Sequence, residues 1–355
     1  MQVPRNSTRK KSLFALITIF LFVLFCELAF RLTLKISKEI PFVRPDLAVE
    51  EHFYKELKLV QNATISTTND SLDILVLGGS VVADEWRSKV ARYLQDSLRK
   101  ALNTSKVRYF NLANLGHNTN DNLYKYKMLE NKRFDLVIFY EGINETRFNN
   151  VPASLFRPDY THVRWYHDID LVKQHPEMRY TVIPFTFHLF LNYASTLVGK
   201  RYFINDAPDE KYYSEAFTIK TAPIYRSNLE QIVELAKQRQ EPLLLVNFTY
   251  YIPEKWRKSN FKDQEWDYAG CDLSSPIRTW GSPLAVEKGI LTHRAMMQQI
   301  DTKHKGVYYM DMMPLLPREG RNFCDICHLT DDGCRLFSNN VASYVLKNNM
   351  IRSSY

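Results

Sequence analysis

A chain of 355 residues that is 45% hydrophobic and 24% charged can bury a substantial core, in one large domain or two small ones, and is neither disordered nor fibrous. Its formal charge of +8 is of the kind nucleic-acid binders carry, but residues 1–38 hold seven basic residues against Glu27 alone, and everything beyond them nets only +2. The basicity belongs to the N-terminus, and no nucleic-acid partner is expected.

Residues 1–11 are the basic lead, with Arg5, Arg9, Lys10 and Lys11. Leu13 to Cys26 is apolar except for Thr18, and Leu28-Ala-Phe30 carries the run past Glu27 to about the 18 residues that a membrane span needs. A cleaved signal peptide wants small residues before its cut, whereas Glu27, Leu28 and Ala29 precede Phe30. An uncleaved signal-anchor over 12–32 is therefore expected, and the bulky Phe25 before Cys26 argues against lipidation. The excess of basic residues ahead of the span puts residues 1–11 in the cytoplasm and the rest outside it, in the periplasm, a lumen or the medium. Disulfides then become available.

Residues 33–70 read as a polar stalk with little periodicity, containing the sequons at Asn62 and Asn69. Others at Asn6, Asn103, Asn144 and Asn247 are taken as chance in an Asn-rich chain.

The main domain is expected over 71–350. Leu72 to Leu77 is an aliphatic run broken only by Asp73, which reads as a buried strand of a parallel sheet ending in Gly78-Gly79-Ser80. From Asp84 onward Trp86, Val90, Leu94 and Leu98 recur every four residues, so a helix follows. Val107–Leu112 is a second strand, leading to Gly116 and a helix with Leu123, Tyr126 and Leu129 on one face. Phe134–Tyr140, Leu243–Phe248 and Val307–Asp311 are further strands, with helices at Glu230–Lys237 and Glu287–Lys303. The alternation specifies an α/β fold, a parallel sheet with helices on both faces. Residues 150–222 interrupt it. They are aromatic-rich, and Arg179, His188, Asn192, Lys200 and Arg201 argue against a second span between Tyr180 and Tyr202. An amphipathic helical insert is expected there, as a lid, a membrane-facing surface or added packing.

Four signals fall in order at strand ends or near the end of the chain. They are Gly78-Gly-Ser80, Gly116, Gly142-Ile-Asn144, and Asp325-Ile-Cys-His328 followed by Leu329-Thr330 and Gly333. Each is weak alone, but the order is specific. In these blocks the sequence resembles the SGNH (GDSL-like) hydrolase family, over roughly residues 72–345. The resemblance implies a three-layer α/β/α sandwich, Ser80 as nucleophile, Asp325 and His328 completing the triad, and an oxyanion hole from Ser80, Gly116 and Asn144. The chain departs from the family pattern in Gly79, where Asp is frequent, and in Glu145, where Asp often follows the Asn. Neither replaces a catalytic atom.

The residue types suit those roles by themselves. A serine hydroxyl needs a base in hydrogen-bond reach, and His328 is the natural one. Asp325, three residues earlier, can hold the imidazole in the accepting tautomer. Backbone N–H groups at Ser80 and Gly116 and the Asn144 amide can receive the charge of a tetrahedral intermediate, and glycine offers no Cβ to obstruct the approach.

Cys324-Asp-Ile-Cys327-His328 also spells a c-type haem attachment, and Cys271, Cys324, Cys327 and Cys334 a four-thiolate zinc set. Neither is preferred, because His328 is needed by the hydrolase pattern, so no cofactor and no metal is expected. One or two disulfides among those four cysteines are expected, in any of three full pairings. The reading is a membrane-anchored serine esterase acting on O-acyl esters, O-acetyl groups on surface carbohydrate foremost. An acyltransferase with the same triad and a silent carbohydrate-binding or assembly protein on the same fold are its rivals.

Overall fold

The computed structural model describes residues 5–65, 70–84, 87–199, 202–254, 268–301 and 306–351; Asn69, Trp86, Lys200, Arg201 and Lys303, singled out in the sequence, lie outside the described residues. The strands are β1 (Leu72–Gly78), β2 (Val107–Asn111), β3 (Leu136–Tyr140), β4 (Leu243–Val246) and β5 (Val307–Met310). The helices are α1 (Arg5–Lys38), α2 (Leu57–Gln61), α3 (Val90–Leu102), α4 (Thr119–Lys127), α5 (Arg164–Lys173), α6 (Ile183–Leu197), α7 (Ala222–Arg239), α8 (Pro283–Asp301) and α9 (Asp331–Lys347). They fall into two compact units, a larger one of Leu59–Tyr160 with Ile204 onward, and a smaller one of the residues up to Lys58 with Thr161–Phe203.

In the larger unit the strands form one sheet in the order β2-β1-β3-β4-β5, with every pairing parallel. β1 and β3 are buried along their whole length, which is why their sequences are continuously apolar. Asp73, the one exception, is fully buried and pairs at 2.5 Å with Arg108, its register partner on β2. Ile74, Val76 and Ile138 share a buried cluster with Val90, Leu94 and Leu98 of α3 and with Phe337, Val341 and Val345 of α9. Leu75, Val137, Phe139 and Leu245 alternate with them and are buried towards the other face, where α4, α7 and α8 pack on one another. This is the three-layer α/β/α arrangement expected from the alternation. The helix after β1 begins at Val90 rather than at Asp84, because Ser80–Val82 first makes a tight 3₁₀ turn of its own.

The strand order places the site. From β1 the chain goes out to β2 and returns to β3 on the other side, so the carboxyl ends of β1 and β3 flank the switch point where open sheets leave a crevice. Ser80 follows β1, and Asn144 follows β3.

The smaller unit corrects two boundaries. Residues 33–70 are not a bare stalk: α1 runs to Lys38, and a 3₁₀ turn at Pro45–Leu47 and a π turn at Val49–Phe53 follow, with Val49, Phe53 and Tyr54 buried and Phe53 edge-on to Trp165 at 5.0 Å. Such turns lack the 3.6-residue period, so the stretch reads as irregular. The insert 150–222 divides, since only Thr161–Phe203 belongs to this unit. Its flanks belong to the larger unit, where the Asn149 side chain accepts from the Thr221 N–H at 3.0 Å and Asn150 donates to the Trp280 carbonyl at 2.9 Å.

Glu241, between α7 and β4, accepts hydrogen bonds from the Tyr126 hydroxyl on α4 and from the Phe134 N–H at 2.8 Å. Burial nonetheless pushes its carboxyl from 4.5 up to about 7. Between those values the folded state holds a proton that the unfolded state has lost, so this group makes stability fall as pH rises, and the loss is complete above about 7. Glu241→Gln should remove that slope. Urea melts at intervals from about pH 5 to about pH 7 should show the parent losing stability relative to the variant, and a difference independent of pH would contradict the assignment.

Candidate active site

β1 ends at Gly78, and the turn Ser80–Val82 begins two residues later. A Cβ on Gly78 would lie 2.6 Å from Val82 Cγ2 and 2.7 Å from the Tyr140 carbonyl oxygen. A Cβ on Gly79 would run into the Glu141 carboxylate and come within 2.7 Å of Asn144 Nδ2. Both glycines are required by how closely the ends of β1 and β3 approach. Ser80 is left buried at the head of its turn, 7% exposed.

The partners of Ser80 come from the other end of the chain. A bridge between Phe323 and Leu329 closes a small loop, which a disulfide from Cys324 to Cys271 ties down. Inside it Asp325 Oδ1 accepts from the backbone N–H of Cys327 (2.9 Å) and of His328 (2.8 Å), and Oδ2 accepts from the Ser275 N–H at 2.6 Å. Oδ2 also lies 2.6 Å from His328 Nδ1, and His328 Nε2 lies 2.8 Å from Ser80 Oγ. A ring nitrogen facing a carboxylate carries the proton, so the network assigns Nε2 as the acceptor towards Ser80. Burial alone would raise the Asp325 carboxyl, but the positive charge available to His328 and the hydrogen bonds from His328 and Cys327 outweigh it and hold Asp325 below its ordinary range. It therefore stays ionised in a site where it is only 4% exposed.

Gly116 occupies the third position of a turn whose His117 N–H returns to the Asn114 carbonyl at 3.3 Å, and its φ of +70° is what selects glycine. A Cβ there would meet nothing within 4 Å. Gly116 is thus selected by its backbone conformation, and Gly78 and Gly79 by the space around them.

Asn144 opens the turn after β3. Its Oδ1 accepts from Trp280 Nε1 at 3.2 Å, and because an indole only donates, this contact fixes which way the amide faces. Nδ2 donates to the His117 carbonyl at 2.8 Å, and its remaining N–H has only a 3.4 Å approach to Glu141 Oε2. Asn144 is thus held beside Gly79 and the loop that carries Gly116.

Five residues that sequence reasoning did not select, Glu141, Lys125, His117, Trp280 and Ser275, complete this frame. Glu141 Oε1 accepts from three successive N–H groups, Gly142, Ile143 and Asn144, at 2.9–3.1 Å. Burial, with the Glu145 charge beside it, still raises its carboxyl well above the ordinary range. Lys125, fully buried, donates to the Leu112 carbonyl and to His117 Nδ1, the latter at 2.8 Å. Burial and the lysine charge push His117 down to about 3, so it remains neutral and serves as an acceptor. Trp280 and Ser275 lie on a segment with no motif. Glu145, noted as a departure from the family pattern, accepts from the Thr119 N–H at 2.7 Å at the start of α4, and burial raises it to about 7.

The cysteines remove two rival chemistries. Cys324 is consumed by the disulfide, so a Cys-x-x-Cys haem attachment lacks one thiol and a four-thiolate zinc set lacks two. Asp325, Cys327 and His328 offer ligand atoms within 4.8 Å of one another. Both imidazole nitrogens there are engaged, and burial, with the Asp325 and Glu141 charges behind it, raises the Cys327 thiol far from ionisation. Asn144 and Asn247 are buried, which disposes of them as glycan acceptors in the folded chain. A cleft of about 250 Å³ reaches His328 from outside, lined by Arg87, Ser88, Lys89, Asp272, Thr330 and Asp331 among others.

No protein-family model matches the chain, and no curated protein matches it. Among solved structures it is similar to a lipase/acylhydrolase from Enterococcus faecalis, at 13% identity with a TM-score of 0.42, over 78% of this chain and 96% of that one. It is also similar to a GDSL-like lipase from Bacteroides thetaiotaomicron, at 12% identity and 0.43, over 83% and 98%. A family 3 carbohydrate esterase from Clostridium thermocellum matches at 12% and 0.40, over 79% and 97%.

The two kinds of glycine should respond differently to substitution. Gly79→Ala and Gly79→Asn should each cost about 1–3 kcal/mol of unfolding free energy by overpacking. At Gly116, Ala should cost about 1 kcal/mol through backbone strain, and Asn, which tolerates that conformation, should cost less. Denaturant melts of the four variants check this, and equal penalties for Ala and Asn at Gly116 would contradict the role given to its φ.

Proposed function

We propose that the chain is a membrane-anchored serine esterase of the SGNH type that hydrolyses O-acyl esters, O-acetyl groups on carbohydrate foremost. The observation that carries this reading is the continuous hydrogen-bonded line from Ser80 Oγ through His328 to Asp325, at 2.8 and 2.6 Å.

In this reading His328 Nε2 takes the Ser80 proton as Oγ attacks the ester carbonyl, while Asp325 keeps Nδ1–H in place and stabilises the imidazolium. The carbonyl oxygen, now negative, is received by the N–H groups of Ser80 and Gly116 and by Asn144 Nδ2. Collapse breaks the bond to the leaving alcohol, which takes the proton from His328, and leaves an acyl group on Oγ. Water, deprotonated by His328, then attacks that acyl carbon, and release of the carboxylic acid restores the hydroxyl. The cleft at His328 sets Arg87, Lys89, Asp272 and Thr330 beside Val81, Leu273 and Leu329, so it offers polar groups for a hydroxylated alcohol and apolar ones for a short acyl chain. α1 is long and apolar enough to cross a membrane and supports the anchor, and the Cys271–Cys324 disulfide supports a site outside the reducing cytoplasm.

Ser80→Ala should abolish turnover of a small chromogenic acetyl ester while leaving the circular dichroism spectrum unchanged. Asn144→Ala should lower kcat/KM by roughly 10²–10³. Undiminished hydrolysis by Ser80→Ala would sink the assignment.

A further inference from the structure

The smaller unit contains a helix turned inside out. A surface helix of a soluble protein faces its apolar stripe inward and its polar stripe outward. In α6 the residues facing inward are Phe185 and Asn192, one nearly two turns from the other, and His188 between them bonds through Nδ1 to His175 Nε2 at 2.9 Å. The opposite half carries Phe187, Phe190, Leu191, Tyr193 and Leu197, continued by Val198 at the C-terminal cap, and these are 49–69% exposed. Packing within the unit does not account for so large an apolar face.

The contact between α6 and α1 says what covers it. From Leu13 through Phe25 α1 is exposed and, apart from Thr18, apolar, and it begins to be covered at Cys26. At that level Glu27 accepts from the Val182 N–H at 3.0 Å and from the Thr181 hydroxyl at 2.8 Å, while Arg31 donates to Glu27 at 2.6 Å and to the Tyr180 carbonyl at 3.2 Å. The first turn of α6 is pinned to α1 within the last turns of the span at 12–32. Given the anchor proposed above, that level is the boundary between hydrocarbon and headgroups, where Tyr180, 77% exposed, and Tyr193 also suit the aromatic belt.

We infer that α6 is a second membrane-contacting element, an amphipathic helix whose Phe187–Leu191–Val198 face lies in the bilayer interface beside α1. It holds the smaller unit on the membrane through an apolar face rather than through charge. This inference rests on the reading of α1 as a membrane anchor.

Site-directed spin labelling separates the two. The full chain carrying Cys26→Ser is reconstituted as single copies in nanodiscs of phosphatidylcholine and phosphatidylglycerol. Nitroxides are attached at Leu21→Cys on α1, at Phe187→Cys, Leu191→Cys and Val198→Cys on α6, and at Lys347→Cys as a solvent reference. Collision with oxygen should exceed collision with a water-soluble nickel chelate several-fold at Leu21→Cys and at all three α6 positions, and the order should reverse at Lys347→Cys. Nickel-favoured collision on α6 with oxygen-favoured collision at Leu21→Cys would overturn the inference and leave the anchor standing. Shielding of α6 from both reagents would also overturn it, in favour of a protein covering that face. Nickel-favoured collision at Leu21→Cys would overturn the anchor itself.

Discussion

The site depends on how closely the chain passes itself where β1 and β3 end. No side chain fits at Gly78 against the Tyr140 carbonyl, and none fits at Gly79 against Glu141 and Asn144. The space over Gly79 is filled from across the sheet by the Glu141 carboxylate, whose other oxygen gathers the three N–H groups of the turn that presents Asn144. Asn144 then reaches the His117 carbonyl in one direction and Trp280 in the other, so the loops after β2 and β3 and the segment that carries Trp280 are locked by short polar contacts.

These contacts are made among buried titratable groups, a costly arrangement that persists only where each group finds partners. Glu141 and Glu145 are both raised by burial, and His117 is lowered by burial and by Lys125. Asp325 is the exception. The charge available to His328, with the hydrogen bonds from its ring and N–H and from the Cys327 N–H, outweighs burial and keeps Asp325 negative next to the histidine that faces Ser80. The carboxylate that stays ionised is thus the one that the proposed chemistry needs charged.

Much of this was legible in the sequence, for physical reasons. Buried parallel strands leave continuous apolar runs, so all five strands and their order along the chain could be read, and Asp73 stood out because it pairs with Arg108 rather than with solvent. Ser80, Gly116, Asn144, Asp325 and His328 were visible as candidates because they sit at strand ends and turns. The residues that fix them were not. Trp280 is 136 positions from Asn144, and Ser275 is 50 from Asp325, so only the fold brings them together. The stretch after α1 was misread as a stalk because its 3₁₀ and π turns carry no helical period. The amphipathic helix at α6 was expected, but not which way its apolar stripe faces, since a sequence does not say which face of a helix is covered.

The central claim is that Ser80 is an activated nucleophile with His328 as its base. It is tested most directly by intact-mass measurement of the full chain in detergent after exposure to a fluorophosphonate, beside the His328→Ala variant. The account predicts one adduct, mapped to Ser80, in the parent and its loss in the variant. A folded parent that takes no adduct, or an adduct on Ser80 that survives His328→Ala undiminished, would contradict it.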